Sequence, residues 1–304
     1  VQWLTASDTV KARVKAILEN STPKALQNGM FDYFVVRANG IALGGFVWDT
    51  ALGSAVISPR LPKKLGHQMC LYSDAPRFKS DFKAGNKNPW KSEKKARERA
   101  DYCAKDAYST LWLALRVQPA LLAKTNRGIE QFDDLMAELK IAIKMREYGV
   151  YIDTTRLAGI TGRLERALAI VAARLQLKVH EVGFVGEFLP DAPAHIRKLF
   201  LTTLGLTTKK KTAKGAYSYS ADQVLAFAES ENTTVRRLAR LILIYRRYGK
   251  LLAANRKLPD FIDADGRVRP SWNPGGAATR RWSCDRPNLQ QVAKERKVAK
   301  ERKE

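Results

Sequence analysis

Residues 128–177 read as an almost unbroken helix, interrupted once at YGVYIDTT, and no other feature constrains the fold as much. Gly149 ends the first helix. Asp153 or Thr154 caps the second, which carries Leu157, Ile160, Leu164, Leu168 and Val171 on one face. Residues 233–253 are again strongly helical, with arginines interleaved among leucines and isoleucines. Arg246, Arg247 and Lys250 fall on adjacent turns there, and Leu241, Ile244 and Tyr245 read as core positions. The middle of the chain is therefore expected to be mainly helical.

The flanks differ. Residues 1–117 look α/β: a helix around Val10–Glu19, the mixed segment KALQNGMFDYFVVRANGI, then Gly44-Gly45, Pro59 and Pro62 as punctuation. A polar, basic loop over 73–96 precedes a helix from about Lys94 to Val117, and Pro119 reads as a boundary. Residues 205–220 form a basic, Gly-containing excursion, after which Ser220 or Ala221 begins another helix. From Leu258 the pattern turns to strand and turn, with Asp265-Gly266 as a hairpin candidate. The tail repeats VAKERK and reads as solvated helix or disorder.

Composition narrows the partner. The net charge is +24, from 54 basic and 30 acidic side chains, while 45% hydrophobic content is enough for real cores. A polyanion is the expected ligand, nucleic acid first. A membrane is disfavoured: no long basic amphipathic anchor and no apolar run of 18 residues is evident. VQWLTASDTV does not have the form of a signal peptide. Three scattered cysteines (Cys70, Cys103, Cys284) argue for a reducing, cytoplasmic setting. With only three histidines, none near a cysteine pair, zinc is improbable.

Seven segments carry more specific information. Asn28-Gly29-Met30-Phe31-Asp32 fits N-x-x-F-D, and Tyr102-Cys103-Ala104-Lys105-Asp106 fits Y-x-x-x-D. AIKMREYGVYIDTTRL (142–157) is similar to M-E-x-x-G-V-x-I-D-x-x-x-L, with Arg146 after Met145. EFLPDAPAHIRKLFLTTLGL, KKKTAKGAYSYSADQVL and RLARLILIYRRYGKL follow in order. Last comes TRRWSCDRPNLQ (279–290), set against T-G-R-L-S-S-x-x-P-N-L-Q.

Together these resemble the family A DNA polymerases, the bacterial polymerase I and phage type. The resemblance implies an N-terminally incomplete, ribonuclease H-like 3′–5′ exonuclease domain over 1–117. A palm-entry helix and mainly helical thumb would cover 118–257, the start of an α+β palm 258–291, and a charged tail 292–304. It implies Asp32, Tyr102 and Asp106 as exonuclease residues, with Asp32 and Asp106 as ligands of Mg²⁺. Tyr102 and Asp106 stand at i and i+4, so they share a helix face. A carboxylate there can hold metal while the phenol orients the attacking water, and two-metal hydrolysis needs several such carboxylates.

The family's first exonuclease motif, D-x-E, occurs nowhere in these 304 residues, and the carboxylate motifs that follow P-N-L-Q in the family are absent too. The chain alone is therefore expected to be inactive.

As a thumb, the chain should hold duplex backbone with cations rather than base readers. The resemblance and the residue types point to Lys209, Lys210, Lys211 and Lys214, with Gly215 for close approach, and to Arg246 and Lys250. Thr279, Arg280, Arg281, Ser283, Asn288 and Gln290 are expected beside the primer–template backbone. Arg280 replaces the family's Gly, Trp282 its Leu and Cys284 its second Ser. The first change bears on backbone conformation if that Gly needs positive φ.

The expected partners are primer–template DNA and a single-stranded 3′ end, with deoxynucleotides for a longer parent and a second polypeptide as one way to complete the active sites. Two alternatives stand beside the polymerase reading: a non-catalytic DNA-binding remnant or split subunit, and a nuclease.

Overall fold

The computed structural model describes residues 6–74, 96–212 and 215–292. The chain forms two compact units, one from Val1–Gly149 with Pro270–Gln290 and one from Val150–Arg269 with Gln291–Glu304.

The first unit opens with α1 (Asp8–Glu19), whose Val10 N–H is accepted by the Ser7 hydroxyl at 3.4 Å. β1 (Lys24–Leu26) pairs in parallel with β2 (Phe46–Asp49), joined by α2 (Gly29–Ala38). The pairing runs Lys24↔Phe46, Ala25↔Trp48, Leu26↔Asp49. α3 (Thr50–Ile57) and α4 (Leu65–Tyr72) follow.

α5 (Ala96–Trp112) then continues through a π-helical turn, Leu113–Val117, into α6 (Gln118–Lys124). Pro119 does not interrupt this helical run; it stands at the start of α6, directly after the π-helical turn. α7 (Gly128–Tyr148) supplies the core stripe Phe132, Leu135, Met136, Leu139, Ala142 and Ile143, which packs on Leu52, Ala55 and Val56 of α3 and Leu122 of α6.

A buried polar chain ties these helices. The Gln118 amide donates to the Thr50 carbonyl at 2.8 Å and to Gln68 at 3.0 Å, and its oxygen accepts from the Trp48 indole at 2.7 Å. Gly53 is required here, since a Cβ would lie 2.3 Å from Gln118 Oε1. The unit closes with an antiparallel hairpin, β5 (Ser271–Asn273) and β6 (Ser283–Asp285), with β3 and β4 lying in the other unit.

The second unit is dominated by α8 (Thr154–Glu181) and α11 (Thr233–Lys257). Asp153 caps α8, accepting from Arg156 N at 2.8 Å. Asn232 caps α11, accepting from Thr234 and Val235 at 3.0 and 3.1 Å. The predicted α8 stripe faces inward: Leu157, Ile160, Leu164 and Leu168 are half-buried and Val171 is buried.

Val171, Leu175 and Val179 meet Leu238, Ala239 and Ile242. Ile196 of α9 (Pro193–Arg197) and Leu199 and Phe200 of the following π-helical turn complete the core with Val224 of α10 (Ala221–Phe227). Leu241 and Tyr245 pack against it. Ile244 does not; it is exposed, one helical step off the inward stripe.

β3 (Val150–Tyr151) pairs with β4 (Arg267–Val268), and the Asp265-Gly266 turn leads into β4 from Ile262, which bridges Val268; Gly266 has φ +75° and its N–H donates to the Asp263 carbonyl at 2.9 Å. Among the described residues no helix is long and apolar enough to cross a membrane.

Candidate nucleic-acid interface

Asn28 takes a left-handed conformation (φ +59°) at the start of α2, which sets Asp32 in the first turn. Asp49 lies behind it, fully buried. Its carboxylate accepts from the N–H of Gly29 at 2.7 Å, Asn28 at 3.2 Å, Ala51 at 2.8 Å and Leu52 at 3.4 Å. One side chain thus satisfies the orphan donors of two helix N-termini, α2 and α3. Burial pushes its pKa up against these donors.

Asp32 is pushed up to about 6, by burial first and then by the nearby Asp49 charge. Sequence reasoning missed Asp49; the signal is an Asp-Thr pair directly before the apolar run ALGSAVI.

Tyr102 and Asp106 do share a face of α5. Their side chains are hydrogen-bonded, and burial followed by the Asp106 charge raises the Tyr102 pKa. Tyr102 lines a cavity of about 640 Å³ with Asn28, Asp49, Lys63 and Ser283.

These donors do not fit a two-metal centre. The Asp49 oxygens are taken up by backbone N–H groups, and Asp106 is bonded to Tyr102. Among the described residues no group of three or more His, Cys, Asp or Glu could hold a metal ion.

The hairpin orders 279–290. Register Ser271↔Asp285, Trp272↔Cys284, Asn273↔Ser283 leaves Thr279 and Arg281 exposed in the connecting loop. Ser283 lies half-buried on β6. Trp282 anchors the hairpin to α7, its indole N–H donating to Glu138 at 2.6 Å.

Arg280 has φ +60°, so the chain keeps a glycine-like backbone at the position where Gly is expected. Its guanidinium bonds Gln131 of α7. Asn288 accepts from Gln290 N at 3.1 Å, and the Gln290 amide donates to the Trp282 carbonyl at 3.1 Å. Cys284 is buried, its thiol donating to the Pro287 carbonyl at 3.4 Å.

In the second unit, Lys209, Lys210 and Lys211 stand exposed on one arm of a narrow hairpin closed by the Lys211↔Tyr217 bridge. Ser218 N donates to the Lys210 carbonyl at 2.8 Å, and the Tyr219 hydroxyl to the Leu206 carbonyl at 2.8 Å, so the backbone is fixed; Lys209 and Lys210 are exposed, and the Lys211 ammonium lies 5.5 Å from the centre of the Tyr217 ring. Gly215, φ +78°, allows the tight return. Lys214 lies outside the described residues.

Lys250 is exposed on α11. Arg246 is half-buried and structural: it donates to the Pro190 carbonyl at 3.2 Å and to Tyr219 at 3.3 Å, and burial lowers its pKa.

With this geometry in place, similarity to other proteins becomes informative. Residues 160–304 match the family described as DNA polymerase family A.

DNA polymerase I of Chloroflexus aurantiacus is 26% identical over 278 residues, covering 89% of this chain and 28% of that protein. DNA polymerase I of Synechocystis is 27% identical over 299 residues, covering 93% and 28%. That of Pseudomonas aeruginosa is 27% identical over 307 residues, covering 94% and 31%. The chain thus spans under a third of the length of these relatives.

Its fold is that of a polymerase domain from M. smegmatis Pol1, described in complex with DNA primer-template and dNTP. The TM-score is 0.77 at 19% identity, over 98% of this chain and 48% of that one. The segment that matches this family contains the lysine hairpin, α11 and the β5–β6 hairpin.

Proposed function

We propose that this chain is the DNA-gripping part of a phage-type family A DNA polymerase, with the thumb over 118–257 and the start of the palm over 258–291. Residues 1–117 are proposed as an exonuclease-type domain, with Asp32, Tyr102 and Asp106 as remnants of its site. The observation that carries the reading is the exposed cationic hairpin of Lys209, Lys210 and Lys211 within a segment that matches the family. Lysines on a fixed backbone hairpin suit phosphate contacts, which position a protein on duplex DNA without reading sequence.

Lys250, Thr279, Arg281 and Ser283 add to this surface in the proposal. Arg280, Asn288 and Gln290 act mainly by holding the loop, since their side chains are engaged within the protein. Nucleotide addition, and removal of a 3′ end with Mg²⁺, are proposed for the longer protein or for an assembly with a second polypeptide. They are not assigned to the residues of this chain alone.

The test is competition binding of the chain to a labelled primer–template against single strand and blunt duplex. Preference for the primer–template junction supports the thumb reading. Equal affinity for all three would leave only a generic basic module and refute it.

A further inference from the structure

A groove of about 510 Å³ lies in the second unit, between the C-terminal turns of α8 and the N-terminal turns of α11. Its lining repeats one pattern on both helices. Arg174, Leu177 and Lys178 stand at i, i+3 and i+4 on α8, and Arg237, Arg240 and Leu241 stand at i, i+3 and i+4 on α11. Residues at these spacings share a helix face. Each helix therefore brings one leucine and two cations to the same space.

The unit's own core accounts for only one of the two leucines. Leu241 is half-buried and packs against that core. Leu177 does not: the inward stripe of α8 runs through Val171, Leu175 and Val179, and Leu177 is left 66% exposed. Ile170, two turns earlier on the same face, is 54% exposed. Exposed apolar surface rimmed by charge marks an interaction site.

The charges define the partner. Four cations share the lining with a single carboxylate, Glu181, which is already paired with Lys178 at 2.6 Å. Arg174 and Arg237 are exposed and, among the described residues, make no hydrogen bond or ion pair. Arg240 is anchored by its Nε, which donates to the Ala228 carbonyl at 3.2 Å, so its terminal nitrogens are held at the groove. Guanidinium groups suit carboxylates through paired hydrogen bonds. A nucleic-acid backbone would use the cations but set charged phosphates against the leucines. A groove with apolar anchors between two helices is instead a seat for a third, amphipathic helix.

We propose that this groove docks an acidic amphipathic helix of a partner protein, its apolar side chains against Leu177 and Leu241 and its carboxylates on Arg174, Arg237 and Arg240. This partner goes beyond the DNA-gripping reading and stands without it.

The test uses fluorescence anisotropy with the full chain and a labelled helical peptide carrying leucines at i, i+3, i+4 and i+7 and glutamates on the flanks. Polyglutamate of the same length and a labelled primer–template are the comparisons. The wild-type chain is expected to bind the peptide at least about tenfold more tightly than polyglutamate. Leu177→Ser and Arg237→Glu should each weaken peptide binding by about fivefold or more, and Leu177→Ser should leave primer–template affinity within about twofold. Both side chains are exposed, and unchanged thermal melting confirms that the variants fold.

Absence of peptide binding overturns the docking site. Equal binding of peptide and polyglutamate does so too, because the net charge of +24 alone would then attract acids. Unchanged peptide affinity in both variants likewise overturns it. If Leu177→Ser weakens primer–template binding and spares the peptide, the groove is a DNA surface instead. Failure of the wild-type chain to prefer a primer–template junction bears on the thumb reading alone.

Discussion

At neutral pH Asp32 is ionised against both burial and the neighbouring Asp49. Its carboxyl titrates near 6 in the folded chain and at 3.8 when unfolded, so the folded form keeps its proton through that window. Stability is therefore lost as pH rises from about 4 to 6 and stays level above. Asp32→Asn removes this penalty. The variant should be more stable than wild type by about 1 kcal/mol at pH 8, allowing for solvent screening of a half-buried group, and equal to it at pH 3.5. Urea unfolding at the two pH values checks this; a gain independent of pH would contradict the assigned cause.

Arg280 gives a second test at this scale. Its φ of +60° suits glycine, so with the Gln131 bond lost in both variants, Arg280→Gly should be more stable than Arg280→Ala by about 1 kcal/mol. That backbone demand was legible in the sequence, because an arginine stands where the motif has glycine. The burial of Arg246 was not: its spacing on α11 is the same whether it points to solvent or to the Pro190 carbonyl.

Among the elements, α2 and α3 depend on one carboxylate. Asp49→Ala would strip partners from the N–H groups of Gly29, Ala51 and, more weakly, Asn28 and Leu52, and should destabilise the first unit by about 2–4 kcal/mol. Asp49→Asn keeps an acceptor and should lose less. Chemical unfolding of both variants measures this, and a loss below about 0.5 kcal/mol for the alanine variant would show that water replaces the cap.

The long helices were readable because a 3.6-residue period repeats many times in α7, α8 and α11, and the caps Gly149 of α7 and Asp153 of α8 carry their own chemistry. Strands of two to four residues hold too few alternations to declare themselves, and so β1, β2 and β5 were not legible. Phase within a helix is also fragile: Ile244 follows Leu241 by three residues yet faces solvent, because the inward stripe runs through Leu238 and Ile242.

For the whole molecule, the dominant quantity is the charge of +24. Such a surplus gives any chain some affinity for DNA, so affinity alone cannot identify the thumb. What distinguishes a thumb is that a few lysines on a defined hairpin carry the duplex contacts. Each phosphate contact releases counterions and adds about 0.9 to the slope of log K against log salt.

The most direct measurement is therefore that slope for a primer–template, with wild type and with Lys209, Lys210 and Lys211 all changed to Ala. The three side chains are exposed and only the Lys211 contact with the Tyr217 ring is lost, so the fold should be retained, which thermal melting checks. The account predicts a slope lower by about 2 to 3 and at least tenfold weaker binding in the variant. An unchanged slope and affinity would contradict it, placing the DNA contacts elsewhere on this basic chain.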